Sequence, residues 1–232
     1  MAAARAGLST RATARDGRGV TDPGSSGGAF VTLEGGEGAG KSTQLAALAE
    51  RASEAGREVV TCREPGGTAL GERLRDALFV SADGETDPVA ELLVFQAARA
   101  QLVAEVIRPA LERGALVLCD RFADSTVAYQ QYGRGLDAGL VADSTRIATG
   151  GLRPRLTLLF DLEPAAGRAR VDRASDYLER EDAAFHERVR AGFLALARAE
   201  PERWVVVDAS LPPGEVTEAA WEPLRGGLEG SG

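Results

Sequence analysis

Lysine is almost missing from this chain. Of its 27 basic residues, Lys41 alone is lysine and the rest are arginine. With that lysine placed in a glycine-rich loop, none is left to build the N-K-x-D guanine signature. Histidine is equally scarce: His186 is the single one, it lies in "FHERV" on an amphipathic pattern, and it is read as structural. The two cysteines, Cys62 and Cys119, sit near the ends of apolar runs and make no metal-ligand spacing. They are expected to be reduced and buried, which fits a cytoplasmic protein. No apolar run approaches the roughly 20 residues that span a bilayer, so the chain is read as soluble, with no membrane partner. Positive charge is in deficit, with a formal net charge of -8. A general DNA or RNA binder would show a basic face instead, although a local basic pocket can still hold a small anion.

What the chain does contain suits one globular domain: 232 residues, 44% of them hydrophobic. Residues 1–28 stand apart, rich in Ala, Arg, Gly, Ser and Thr and nearly devoid of large apolar side chains. Such a segment cannot bury enough surface to fold. Its Arg and Ser content superficially resembles a transit peptide, but the whole chain shares that bias, and it is read as a disordered extension or a start placed too early. The domain is expected over 29–227, with 228–232 as a flexible tail.

From Phe30 onward, short apolar runs alternate with longer amphipathic segments, the pattern of a parallel sheet covered by helices. Strands are expected at Phe30–Leu33, Glu58–Cys62, Ala115–Cys119, Leu156–Phe160 and Trp204–Val207. Helices are expected at about 41–55, 69–79, 88–112, 124–131, 137–149, 179–199 and 214–224. The fold class is α/β, a five-stranded parallel sheet with helices on both faces. The long insertion at 63–114 and the arginine-rich segment at about 164–180 are where functional loops are expected.

The stretch "FVTLEGGEGAGKST" decides the chemistry. Gly35, Gly40, Lys41 and Ser42 satisfy G-x-x-x-x-G-K-[ST] after an apolar strand and before a helix, the context this phosphate-binding loop requires. Glycines let backbone N–H groups turn inward around phosphate oxygens, and the helix N-terminus adds favourable partial charge. The loop Gly35, Gly36, Glu37, Gly38, Ala39, Gly40, Lys41, Ser42, Thr43 is therefore the expected phosphate-binding site of a nucleotide. Lys41 would reach the β and γ phosphates, and the Ser42 hydroxyl would ligate Mg²⁺. An ammonium is a compact charge on a flexible stem, where a planar guanidinium would not fit the same cradle. That gives an arginine-biased chain a reason to keep lysine here. The loop alone does not separate a kinase from a nucleotide switch.

Four motifs in order, "GGEGAGKS", "TCREPGGTALGERLRDALF", "ELLVFQAARAQLV" and "CDRFADSTVAYQQYGRGL", resemble bacterial thymidylate kinase, a P-loop nucleoside monophosphate kinase. The resemblance covers nearly all of the chain from Phe30. It implies transfer of the γ-phosphoryl group of ATP to dTMP, with Mg²⁺, and commonly a homodimer formed through helices beside the sheet. By the same resemblance Arg75 and Arg121 would grip the dTMP phosphate, Arg99 would reach the thymine carbonyl and Phe95 would stack on the base. Thr126 would bond the base, with Gln130 one turn further on the same face. Tyr129 would fill the space of a ribose 2′-OH, and Glu37 would bond the acceptor 3′-OH. Arg63 and Glu64 would belong to the acceptor and phosphate network, and Asp120 would serve as a metal-side or base-like carboxylate.

Gly38, rather than an arginine, follows Glu37. Members of the family with a small residue there carry their catalytic arginine in the lid. Arg168, Arg170, Arg173 and Arg180 are available, and Arg170 and Arg173 are favoured. The lid departs from the D-R-[LIF]-E pattern, with Tyr177 where an arginine is usual, so a degenerate kinase stays an alternative. "DASLPP" at 208–213 falls where related kinases wrap adenine.

Overall fold

Five runs of apolar residues form the strands β1 (Ala29–Glu34), β2 (Val59–Arg63), β3 (Leu116–Asp120), β4 (Leu156–Asp161) and β5 (Trp204–Asp208). All pair in parallel in the order β2-β3-β1-β4-β5. The computed structural model describes residues 27–79, 86–170, 178 and 180–229. The expectations for 1–26 and 230–232, and for most of the lid beyond Arg170, lie outside these residues.

Side chains alternate along β1. Ala29, Val31 and Leu33 face a cluster with Leu48 and Ala52 of helix α1 (Lys41–Glu54) and with Val216, Ala220 and Leu224 of α9 (Pro213–Glu229). Phe30 faces the opposite side, packing in a cluster with Leu102, Ile107, Leu111, Val117 and Phe122. This period-two pattern, with apolar residues on both faces, is what a sheet covered on both sides requires. A third cluster joins Tyr129 and Leu159 to Phe185 and Phe193 of α8 (Ala183–Ala199).

Between them lie α2 (Ala69–Phe79), α3 (Pro88–Leu102), α4 (Arg108–Glu112), α5 (Ala123–Thr126), α6 (Ala138–Thr149) and α7 (Pro164–Arg170). The helix expected over 88–112 is interrupted by a π-helical turn at Val103–Ile107. Pro109 explains it: proline brings no N–H to bond the carbonyl four residues back and its ring crowds that position, so the ladder slips register just before it. A second π-helical turn, Val127–Gly133, extends the helix expected at 124–131 and carries Tyr129 and Gln130. The helix expected from 179 begins at Ala183, where Asp182 caps it by accepting from the Phe185 N–H.

Each strand runs to a charged residue at its C-terminal end: Glu34, Arg63, Asp120, Asp161 and Asp208. Strand order reverses on either side of β1, and the crevice beyond the carboxyl ends at such a reversal is where α/β sheets bind ligands. Pairing of Leu33 with Asp120 sets the loop after β3 directly beside the loop after β1.

Candidate active site

The loop Gly35–Gly40 joins β1 to α1, and its backbone needs glycine. Gly35, Gly38 and Gly40 have φ of 143°, 68° and 83°, a region closed to most side chains. Lys41 folds back over the loop, donating to the Gly36 carbonyl at 2.7 Å and the Gly35 carbonyl at 3.2 Å. Burial lowers its pKa, helped by Arg121 and opposed by Glu37, Asp120 and Glu34. The Ser42 hydroxyl donates to Asp120 at 2.8 Å, bringing together the two groups expected at a metal.

Arg121, next after β3, is the sole non-glycine residue with positive φ among the described residues, at 70°. Its guanidinium donates to the Gly35 carbonyl at 2.9 Å and to Ser125 at 3.2 Å, and it pairs with Glu37. Glu37 also accepts from the Tyr129 hydroxyl at 3.0 Å, and Arg121 lies over the Tyr129 ring, 5.0 Å from its centroid. Burial raises the Tyr129 pKa well above its ordinary value, so the phenol stays a donor.

Two cavities meet at this loop. One, of about 200 Å³, is lined by Glu37, Lys41, Arg63, Glu64, Arg75, Phe95, Arg99, Asp120, Arg121, Thr126, Tyr129 and Gln130. Every residue expected at the acceptor therefore converges there, from the phosphate loop, the ends of β2 and β3 and the loops after them, α2, α3, α5 and the π-helical turn. Phe79 stands edge-on to Phe95, with ring centroids 6.3 Å apart. Arg99 is 1% exposed. It donates twice to Glu64, at 2.7 and 2.8 Å, and also to Gln96 and to the Phe122 carbonyl. Burial raises the Glu64 pKa and Arg99 opposes the rise.

The second cavity, of about 730 Å³, is lined by residues 37–44, Arg170, Ala209, Leu211, Pro213 and Val216. The P-loop and the 208–213 segment thus line one space. Gln44 of α1 donates to the Pro213 carbonyl at 3.0 Å and accepts from Thr217 at 2.8 Å. Of the favoured lid arginines, Arg170 reaches this cavity and donates to the Ala209 carbonyl at 2.9 Å. Arg173 lies outside the described residues.

Residues 33–220 match the sequence profile of the thymidylate kinase family. The chain belongs to that family. It is 54% identical over 196 residues to the thymidylate kinase of Deinococcus radiodurans, covering 84% of this chain and 95% of that one. It is 55% identical over 188 residues to the thymidylate kinase of Clavibacter sepedonicus, covering 80% and 89%. A crystal structure of thymidylate kinase from Ehrlichia chaffeensis superposes with a TM-score of 0.70 at 34% identity, over 85% of this chain and 98% of that one.

Sequence reasoning missed two residues that hold this family's site together here. Glu34, fully buried, accepts from the Phe122 N–H at 2.8 Å and from Ser125 at 2.5 Å, and so braces the loop that carries Arg121. Burial, reinforced by Asp124, pushes its carboxyl up to about 8. Glu91 of α3, also fully buried, accepts from the Gln130 amide at 2.7 Å and from Arg134 at 3.0 Å. The available signal for both was a carboxylate inside an otherwise apolar stretch. His186 is buried on α8 with no partner for its Nε2 and lines neither cavity, consistent with a structural residue.

Proposed function

We infer that this chain transfers the γ-phosphoryl group of ATP to dTMP, giving dTDP and ADP. One observation carries the reading: Glu37, inside the donor loop, is bonded to Arg121 and Tyr129 of the acceptor cavity, so the two cavities share a wall. A transfer enzyme must bring two polyanions together, and holding them on one rigid element supplies most of the rate by orientation. A nucleotide switch has no use for an acceptor cavity built on its phosphate loop.

In this reading ATP occupies the larger cavity, its phosphates on residues 35–43 and its adenine against 208–213. Arg75 and Arg121 take the dTMP phosphate, Phe95 stacks on the base, and Arg99, fixed by Glu64, meets a thymine carbonyl. Thr126 bonds the base. Gln130 directs its amide N–H₂ to Glu91, which turns its carbonyl oxygen toward the base, where thymine offers an N3–H and cytosine does not. Glu37 takes the 3′-OH and Tyr129 occupies the 2′ position. Arg63, through its pairing with Glu72 at 2.8 Å, stabilises the rim of the acceptor cavity. Arg170 stabilises charge on the transferring group, and Arg173 is its proposed partner in the lid.

Ser42 and Asp120 are oxygen donors beside the phosphate loop, which suits a hard divalent cation. Among the described residues no cluster of three or more His, Cys, Asp and Glu could hold a metal by itself, so Mg²⁺ would be held by these two residues together with phosphate oxygens. When bound, it supplies charge neutralisation between the β and γ phosphates.

The molecule is proposed to be a homodimer. Leu93 and Val89 of α3 and Leu140 and Ile147 of α6 are exposed apolar residues on two helices that pack against each other, the kind of face that a second copy covers. The free, buried Cys62 and Cys119 suit a reducing compartment, and the cytoplasm is the proposed location. Residues 29–227 are proposed as one kinase domain, with 1–28 as an extension; α9 runs on to Glu229, two residues past the point where the tail at 228–232 is expected to begin.

The test is ADP formation from ATP and Mg²⁺ with dTMP, dUMP, ribothymidine monophosphate, dCMP and dAMP. Preference for dTMP is expected. Faster turnover of dCMP or dAMP would overturn the acceptor assignment, and tight ATP binding without turnover of any acceptor would leave a switch.

A further inference from the structure

Glycine is a poorer helix former than alanine, yet Gly167 stands inside the short helix α7. Its surroundings explain the choice. A Cβ there would lie 2.2 Å from the Glu37 carbonyl oxygen, and a Cβ on Gly38 would lie 2.1 Å from the Gly167 carbonyl oxygen. Both are far inside the 3.0 Å that Cβ atoms keep from other heavy atoms. The lid helix and the phosphate loop therefore touch backbone to backbone, through two glycines that face one another.

The two sides of this contact differ in rigidity. Carbonyls of Gly35 and Gly36 accept from Lys41, Gly35 also accepts from Arg121, and Glu37 is tied to Arg121 and Tyr129. A Cβ on Gly35 would itself meet the Phe160 carbonyl oxygen at 2.5 Å, so the loop is also wedged against β4. A side chain at position 167 would thus displace α7 rather than the loop. Arg170 lies one turn further along α7, reaching the donor cavity and the Ala209 carbonyl.

We propose that Gly167 is a positioning residue for phosphoryl transfer: by letting α7 rest directly on the phosphate loop at Glu37 and Gly38, it sets Arg170 at the donor cavity. The proposal rests on the kinase reading above and adds a part to it. Gly38 then has two consequences for the chain. It leaves the loop without an arginine, and it opens the space through which the lid delivers one.

The experiment compares Gly167→Ala, Arg170→Ala and the double variant by steady-state kinetics, with dTMP binding measured by calorimetry in the absence of ATP. Gly167→Ala is expected to lower kcat roughly 10²-fold, the scale of a displaced catalytic group, while dTMP affinity stays at the wild-type value. The double variant is expected to be no slower than Arg170→Ala alone, because Gly167 acts through that arginine. Wild-type kcat in Gly167→Ala, multiplying losses in the double variant, or a parallel fall in dTMP affinity would each overturn the proposal. Should Gly167→Ala fail to fold, hydrogen exchange on the wild-type protein decides: the α7 amides must be protected relative to an unstructured peptide, and unprotected amides would overturn it. Wild-type turnover of dTMP with an unaffected Gly167→Ala sinks this proposal alone, whereas absence of wild-type turnover sinks the kinase reading with it.

Discussion

Glu37 and Arg121, 84 residues apart, form an ion pair that joins the phosphate loop to the end of β3. Each is about one-fifth exposed or less, at 21% and 16% of the side chain, so the pair is only weakly screened. A charge-assisted hydrogen bond of this kind contributes about 1.5–3 kcal/mol. Glu37→Gln keeps the shape and loses the charge. It is expected to lower kcat/KM for dTMP roughly 10- to 100-fold while leaving KM for ATP little changed. Initial-rate measurements with each substrate varied in turn check this.

Lys41→Arg tests the scarcity of lysine. The Lys41 ammonium is buried and donates to two loop carbonyls at 2.7 and 3.2 Å, a geometry made for a compact charge. A guanidinium fork cannot enter it without displacing the loop. Loss of kcat by about 10²-fold or more is expected, with a thermal midpoint close to wild type by circular dichroism. Retained activity would remove the argument.

The buried Glu34 gives a pH dependence of stability. Its folded pKa is raised to about 8 from 4.5. Between those values the folded chain holds a proton that the unfolded chain has released. This group's contribution is therefore complete below about pH 4.5 and is lost as the pH rises toward 8. Thermal midpoints of the wild type should fall across pH 5 to 8 relative to Glu34→Gln, which carries no proton to lose. Parallel pH profiles for the two proteins would refute the assignment.

Glu91 governs the choice of base in the proposed reading. With its carboxylate accepting from the Gln130 amide at 2.7 Å, the carbonyl of Gln130 is available to an N3–H. Glu91→Gln allows the amide to turn over and to present a donor instead. The ratio of kcat/KM for dTMP over dCMP is expected to fall roughly tenfold, since one hydrogen-bond preference is lost.

Much of this could be read from the sequence because it is local. The loop was legible from glycine and lysine spacing alone, since a phosphate cradle is made of consecutive backbone groups. The central strands β1, β3 and β4 were legible because both faces are buried, the edge strands β2 and β5 from their apolar runs, and the true ends of all five fall within about one residue of those runs. What stayed hidden depends on partners distant in the chain. Glu34 meets Phe122 and Ser125 some 90 positions later, with separations of 88 and 91, and nothing beside Glu34 announces them. Glu91 meets Gln130 across 39 positions. Gly167 in an arginine-rich stretch looks like a flexible point, and its purpose shows only when the backbone of Glu37 is placed against it. The slipped helix at Val103–Ile107 could have been anticipated from Pro109, whereas the one at Val127–Gly133 carries no proline to mark it.

Exposure on α3 and α6 leads to a test of assembly. Ile147 is 75% exposed and Leu93 56%, which is costly for two large apolar side chains in a monomer. Ile147→Glu and Leu93→Glu are expected to yield monomers with the fold intact, read by sedimentation velocity and circular dichroism. A wild-type protein that sediments as a monomer at micromolar concentration would refute the dimer.

Gln44 holds a less obvious position. Through Pro213 and Thr217 it fastens the first turn of α1 to the start of α9, so the segment proposed to face a nucleotide base and the loop proposed to face its phosphates belong to one stiff piece. The chain thereby owns a built-in ruler: the span from base to phosphate is fixed before any nucleotide arrives. A donor is measured for length as well as for charge.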